Sequence, residues 1–368
     1  GSGIAAPSRC HPGGPCRRAR GAAMALPFEP EAALFLGAFC GRPLCRASGA
    51  NQKDVSWQEA TLRSDSTQFL VFSTRKGSVG AAALLLKQRP VPRIAWQPRS
   101  SLEALGIDPV AHLCNGVPPI WLGERGGRQH FALLADAPEE ELLQKGTFPE
   151  GSRPFVAEGM SQLLRIGCNE GDFTIVGQAF AKIVWHKKSR YCGACGGPTE
   201  PIECGAKRKC SASGCRTRVY ARTDPSCMVL VRSPSDDRCL LISGQDKSNP
   251  HMWTCVSGFV EQGEQVEEAA RREVWEETGV EVDLAGGCSW LGSQPWPLGV
   301  GGACELMLGL EVVAASEKVE PNLGEVKDAR WFTRDEVQAM LSTPWNQEGR
   351  PFVPHFISEA HFLLRRWV

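Results

Sequence analysis

Three glutamates packed into five positions, Glu273, Glu276 and Glu277, constrain this chain more than any other feature. They lie within GFVEQGEQVEEAARREVWEETGV, residues 258 to 280. Gln265 to Thr278 consists mostly of good helix formers with no internal Gly or Pro, and Gly279 follows as a C-terminal stop. The i, i+3, i+4 spacing predicts a helix whose acids project from one face within about one turn. Like charges so placed repel unless something neutralises them. Hard divalent cations do so, because they take carboxylate oxygens as ligands and also bridge phosphates. Val266, Ala269, Ala270 and Val274 are the expected buried positions of the same helix. A solvated acidic helix face is the bland alternative, and the Gly-bounded loop before the helix and the adjoining Arg272 argue against it.

A second cluster lies upstream. Cys192-x2-Cys195 and Cys210-x4-Cys215 are separated by a spacer that lets two knuckles close on one ion. Each pair sits in a Gly-containing turn, Cys195-Gly-Gly-Pro in one and Ser213-Gly214 in the other. Four thiolates at this spacing read as a closed structural Zn2+ site, with no coordination position left for chemistry. Cys204, between the pairs, is left as a free thiol or an alternative ligand. Two disulfides are the competing reading; the absence of a secretory apolar segment and the scattered placement of the other cysteines weigh against it.

Further along comes SQPWP, Ser293 to Pro297. The segment from Gly258 fits G-x5-E-x7-R-E-U-x-E-E-x-G-U, with U aliphatic, through Gly258, Glu264, Arg272, Glu273, Val274, Glu276, Glu277, Gly279 and Val280. That is the signature of Nudix hydrolases. With the four-cysteine ribbon and SQPWP, the chain resembles the NADH pyrophosphatase (NAD-capped RNA hydrolase) branch of that superfamily. Phe39-Cys-Gly-Arg-Pro-Leu44, Ala179 to Cys192, Tyr220-Ala-Arg-Thr-Asp-Pro225 and Ala360-x-x-Leu-Leu-x-x-Trp367 extend the resemblance over most of the chain. It implies an α+β architecture: an α-β-α sandwich Nudix fold at the C-terminus, preceded by a small zinc ribbon and a mixed α/β N-terminal domain.

The resemblance also assigns roles. Glu273 and Glu277 become direct ligands of Mg2+ or Mn2+, and Glu276 a third ligand or the group that orients water. Glu325 becomes a further metal-binding acid; Glu264 fits the signature and either touches metal or stabilises the loop. Arg272 would orient these acids through charge-assisted bonds. Phe259 would stack on a substrate ring, Tyr220 would lie near a dimer interface, and Ala360 near the nicotinamide pocket. Gln294, Pro295 and Trp296 would mark the dinucleotide-selective branch. One departure stands out: Leu298 to Glu305, with several glycines, lengthens the loop before Leu306-Met307 and bears on substrate preference.

Length and composition fit this organisation. A chain of 368 residues is too long for one ordinary core and suggests two or three domains. The expected boundaries are a basic tail at 1–23, an N-terminal domain at 24–160, linker helices and ribbon at 161–222, and the Nudix domain at 223–368. No run approaches the roughly 18 apolar residues of a membrane span. Lys plus Arg and Asp plus Glu both number 41, so no global field drives non-specific nucleic-acid binding. Lys207-Arg-Lys209, continued by Arg216, Arg218 and Arg222, is a local exception, read either as a solvated ribbon surface or as a basic rim meeting phosphates.

Residues 1 to 28 contain no acid, several arginines and many Gly, Ala and Pro, a composition that cannot bury a core. An organelle transit segment and a short appended leader before a natural start at Met24 both fit. The C-terminal Arg-Arg-Trp-Val is not a peroxisomal signal; an intracellular location, cytoplasmic or organellar, is expected. Apolar runs predict strands at Phe69–Phe72, Ala82–Lys87, Gln129–Leu134, Met228–Arg232, Cys239–Ser243, Trp253–Val256, Glu305–Val313 and Ala329–Phe332. Helices are expected near 137–145, 158–165, 177–186, 334–341 and 357–367.

The leading expectation is a homodimeric, metal-dependent hydrolase that splits NADH and NAD+ into AMP and nicotinamide mononucleotide, and also removes NAD caps from RNA. Alternatives are a broader diphosphatase acting on ADP-ribose or dinucleoside polyphosphates, and a catalytically weak zinc-ribbon RNA-binding protein. No membrane partner is expected.

Overall fold

The computed structural model describes residues 44, 49–74, 81–87, 92–113, 116–157, 170–244, 249–283, 287–297, 304–344 and 349–368. All of them belong to one compact unit, Leu36–Val368. The basic tail, Phe39 to Pro43, the helix expected at 158–165 and residues 298–303 of the long loop lie outside the described residues.

The N-terminal region builds a sheet in which β1 (Gln68–Thr74) is central, and its run FLVF is buried without alternation because both faces are covered. β1 pairs antiparallel with β2 (Ala81–Lys87) and parallel with β6 (Arg128–Ala135). β3 (Arg93–Ile94), β4 (Gln97–Pro98), β5 (Ile120–Arg125) and β7 (Arg153–Ala157) complete its seven strands. Helix α1 (Val55–Arg63) starts at Asp54, whose carboxylate accepts the N–H groups of Ser56 and Trp57. Two short helices, α2 (Arg99–Ala104) and α3 (Glu139–Lys145), follow. Leu62, Phe69, Val71, Trp121, Phe131 and Leu133 form the core on one face. On the other, α4 (Glu170–Lys188) lays Phe173, Val176, Ala179, Phe180 and Ile183 against Leu70, Phe72 and Leu85.

The ribbon is a three-stranded antiparallel sheet of β8 (Thr199–Ile202), β9 (Lys207–Cys210) and β10 (Arg218–Tyr220). Strand alternation turns Arg208 inward, where it is 1 % exposed. Its guanidinium donates to Thr199 Oγ1 and O, to Gly116 O and to His186 Nδ1 at 2.7–2.9 Å. Because Arg208 only donates, His186 carries its proton on Nε2, which bonds Gly205 O at 3.0 Å. Burial and the neighbouring guanidinium hold the His186 ring down at about 3, so it stays neutral. One buried arginine thus ties the ribbon, α4 and the bend before β5 together. Cys204, at the tip beyond β8, has its thiol in the N-terminal core beside Trp121, and its carbonyl accepts the Trp121 N–H at 3.1 Å. Burial pushes that thiol up to about 12. Cys204 is therefore a packing residue and not a ligand alternative.

The C-terminal region is an α-β-α sandwich. Its sheet runs β14 (Cys288–Trp296), β15 (Glu305–Val313), β11 (Asp224–Arg232), β12 (Arg238–Gly244), β16 (Val326–Thr333), with β13 (Val256–Phe259) paired to β11. β11 and β15 are parallel. Helix α5 (Val266–Thr278) covers one face, burying Ala269, Ala270 and Val274 against Val229, Val231, Leu240 and Leu310; Val266 is only partly buried at the margin of that cluster. On the other face α6 (Arg334–Ser342) and α7 (Glu359–Trp367) pack Val337, Met340, Leu363, Leu364 and Trp367 against Met228, Leu230 and Leu241.

Most expected elements appear at or near their places; α4 extends the helix expected at 177–186 back to Glu170, α1, β5 and β7 are additional, and three further differences stand out. The strand expected at Trp253–Val256 begins only at Val256, because Trp253 donates its N–H to Phe352 O and Thr254 makes an isolated bridge to Ile242. SQPWP ends β14, a strand that the sequence did not announce, and Pro295 is tolerated because β14 lies at the sheet edge. The last helix starts at Glu359, two residues late, where Ser358 caps it by accepting the His361 N–H. Among the described residues no helix is long and apolar enough to cross a membrane.

Candidate active site

Residue 258 sits in β13, paired with Cys227 of β11, and the first turn of α5 follows a short loop. The Gln265 and Glu268 side chains and backbones cap that turn reciprocally. Gly279, at φ 68°, ends the helix in the left-handed region and gives its N–H to Trp275 O. Helix and strand are close: a methyl group at position 258 would overlap the Glu273 carboxyl, so only glycine lets the acid lie against the strand.

Arg272 organises the acids. Its Nε and Nη2 grip Glu264 in a bidentate pair at 2.8 and 3.0 Å. Nη1 donates to Glu273 Oε1 at 2.7 Å and Glu276 Oε2 at 3.0 Å, while Nη2 also reaches Phe259 O at 2.8 Å. One guanidinium therefore binds the loop acid, two helix acids and the end of β13. Glu277 is different. It pairs with no cation among the described residues, and its buried Oε2 has no hydrogen-bond partner. Burial, then the negative charge of Glu273 and Glu325, push its carboxyl up to about 8, against a backbone hydrogen bond from Ser257. Burial also raises Glu273, opposed by Arg272 and reinforced by the charges of Glu276 and Glu325. Glu325, exposed just before β16, is thus electrostatically part of the cluster. Four clustered acids, one with an orphaned buried oxygen, make a donor set suited to a hard divalent cation.

The four ribbon cysteines meet in space. Their sulfurs all lie within 4.8 Å of one another, the only such group of three or more potential ligands among the described residues. Cys192 and Cys215 are 3.9 Å apart and Cys195 and Cys210 3.5 Å, close to the roughly 3.8 Å edge of a tetrahedron of Zn–S bonds. The Ala212 N–H points at Cys210 Sγ at 3.4 Å, and N–H groups of Ala194 and Cys195 hold the Cys192 thiol down at about 6. The cluster suits structural zinc.

The other expected site residues are distributed differently. Phe259, 45 % exposed, adjoins the Arg272 cluster through its carbonyl. Tyr220 stands 57 % exposed on the ribbon, with Lys207 Nζ 5.6 Å from its ring centre. Gln294 is fully buried; its Nε2 donates to Ile357 O at 2.6 Å and its Oε1 accepts the Glu359 N–H at 2.9 Å, so its amide ties β14 to the start of α7. Trp296 packs against the core under α4, and Ala360 is buried between α7 and the sheet. Glu359, the first residue of α7, is fully buried beside these groups.

Residues 222–356 match the model of the NUDIX domain, and residues 187–220 that of the NADH pyrophosphatase zinc ribbon domain. Over 231 residues the chain is 38 % identical to Nudix hydrolase 19, chloroplastic, of Arabidopsis thaliana, covering 54 % of this chain and 52 % of that protein. It is 36 % identical over 220 residues to the human NAD-capped RNA hydrolase NUDT12, covering 58 % of this chain and 45 % of the relative. Against the NAD-capped RNA hydrolase NudC of Deinococcus radiodurans identity is 32 % over 243 residues, covering 66 % of this chain and 79 % of that one. The chain spans about half the length of the first two relatives.

Proposed function

This chain belongs to the Nudix hydrolase family, in the branch that carries the NADH pyrophosphatase zinc ribbon, and from that premise we propose that it is a metal-dependent diphosphatase of NADH and NAD+, releasing AMP and nicotinamide mononucleotide. The observation that carries this reading is the buried Glu277 carboxyl, whose Oε2 has no hydrogen-bond partner, beside the negative charges of Glu273 and Glu325. Such an arrangement is costly without a cation and favourable with one. Glu273 and Glu277 would hold Mg2+ or Mn2+, with Glu276 and Glu325 completing the set or orienting water. A bound cation there supplies charge neutralisation for the diphosphate oxygens and acidifies water. Arg272 fixes the acids in place, and the exposed Phe259 ring offers a stacking face for an aromatic end of the substrate. Tyr220, Gln294, Trp296 and Ala360 are proposed to shape the pocket, the last three by positioning β14 and α7. Zn2+ in the four-cysteine cluster is structural.

We further propose that NAD-capped RNA is a substrate, since it presents the same diphosphate with a 3′ extension and relatives bear that name. A homodimer and an organellar site of action, the latter suggested by the chloroplastic relative, belong to the same proposal. The test places NADH, NAD+, ADP-ribose and NAD-capped RNA side by side with wild type and Glu277→Gln, following AMP release in Mg2+ and in Mn2+. Cation-dependent cleavage of NADH that falls at least about a hundredfold in the variant supports the reading. Preference for ADP-ribose would favour the broader diphosphatase, and RNA binding without any AMP release would favour a binding module.

A further inference from the structure

We propose that the outer face of the zinc ribbon is a track for the single-stranded RNA that follows a 5′-NAD cap. This rests on the hydrolase reading for the identity of the capped substrate, and on the ribbon itself for the track. Arg218 and Tyr220 stand on one face of β10 and are exposed, whereas Val219 between them is partly buried; Arg216 and Arg222, also exposed, flank the strand on either side. In an extended strand alternate side chains share one face, about 6.6 Å apart. This step suits successive phosphates of an extended single strand. Antiparallel pairing adds to the row: Lys209 stands opposite Arg218, and Lys207 opposite Tyr220. The inward-turned Arg208 and Val219 occupy the other face.

The charge of this face is available. Lys207 is paired with Glu203 and Arg222 with Asp224, both at 2.9 Å. Lys209, Arg216 and Arg218 have no ion-pair partner among the described residues, although Glu200 faces Lys209 in register. In a chain whose charges balance overall, this is a local concentration. A membrane surface would instead call for exposed aliphatic and aromatic side chains beside the cations, and β10 offers one tyrosine. The face is also anchored, since Cys210 and Cys215 of the zinc cluster flank it and Arg208 is hydrogen-bonded behind it.

The track leads to the acids. β11 starts four residues after Tyr220, and its Ser226 pairs with Phe259, whose carbonyl Arg272 holds. Six residues span at most about 20 Å, so RNA lying on the ribbon can present its capped end to the Glu273–Glu277 cluster.

The test uses the zinc-loaded full chain and Arg216→Ala/Arg218→Ala, with Lys209→Gln as a second variant and zinc content measured for each. Substrates are NADH and a NAD-capped ten-nucleotide RNA; binding is measured with the same RNA bearing a 5′-monophosphate, across salt, and with phosphatidylserine vesicles. The double variant is expected to lose about tenfold in kcat/KM on capped RNA and to keep NADH turnover within about twofold. Its log Kd against log salt for the uncapped RNA becomes shallower by about 1.4, at roughly 0.7 per lost contact. Equal losses on both substrates, an unchanged salt slope, or variant-sensitive binding of vesicles and not RNA would overturn the track. If wild type turns over neither NADH nor capped RNA the hydrolase reading fails, and the RNA-binding measurement still decides the track.

Discussion

The Glu273 carboxyl lies so close to the backbone of Gly258 that a single added methyl group on the strand would collide with it. The neighbour that must give way is the end of a flexible side chain, so the collision is cheap for folding and expensive for a positioned acid. Gly258→Ala is expected to cost about 1 kcal/mol or less, a shift of a few degrees in Tm. Cation-dependent NADH turnover should fall at least about tenfold, because Glu273 can no longer hold its place. Thermal melts and steady-state kinetics on one preparation separate the two effects. Unchanged turnover would mean that Glu273 does not act from this position.

Arg272 makes five donations to three carboxylates and one carbonyl, a geometry that needs the planar fork of a guanidinium. Lysine keeps the charge and loses the fork. Arg272→Lys is therefore expected to be nearly as impaired as Arg272→Ala, each about tenfold or more in kcat. If Lys restores most of the activity, charge and not geometry is what the cluster draws from this residue.

How much of this was readable beforehand depends on how local each contact is. The helix with its acids, its Gly279 stop and the four zinc cysteines are encoded by spacing within single segments, so pattern alone places them. The sequence pattern marks only the second half of α4, 177–186; its apolar residues fill the N-terminal core, which propensity does not see. Arg208 reads as one member of a basic run, and only strand alternation against a neutral His186 reveals it as a buried anchor. Gln294 reads as part of a substrate motif, yet both ends of its amide are occupied by the start of α7. Cys204 and Trp296 likewise find their partners far along the chain. Polar and apolar groups that serve tertiary contacts carry no periodic signal.

Zinc removal should have a graded effect, since the ribbon is held twice, by the cysteines outside and by Arg208 and Cys204 inside. Wild type is expected to carry one zinc per chain, and Cys195→Ser none, with a Tm lower by about 5 °C or more. Far-ultraviolet dichroism should barely change, because the inner anchor and both larger sheets persist. Elemental analysis and calorimetry read this directly. A Cys195→Ser protein that retains stoichiometric zinc would mean that the fourth ligand lies elsewhere.

Glu359 gives the protein a pH dependence that its metal chemistry does not require. It is fully buried at the first turn of α7, and neither oxygen makes a well-formed hydrogen bond, although the backbone N–H groups of Gly309 and Gln294 lie close enough to favour the anion. Burial dominates and pushes the carboxyl up to about 8, and the same carboxylate helps to raise the thiol of Cys255 beside it. A folded value above the ordinary one near 4.5 means that the neutral acid is the form the fold prefers. Its contribution is complete below about 4.5 and is lost as pH rises through about 8. Glu277 has the same sign, so the difference between wild type and Glu359→Gln isolates this group. Denaturant unfolding at several pH values between 5 and 9 should show wild type losing on the order of 3 kcal/mol more than the variant across that window. Parallel pH profiles would place a stable charge at Glu359, and with it a partner for that charge.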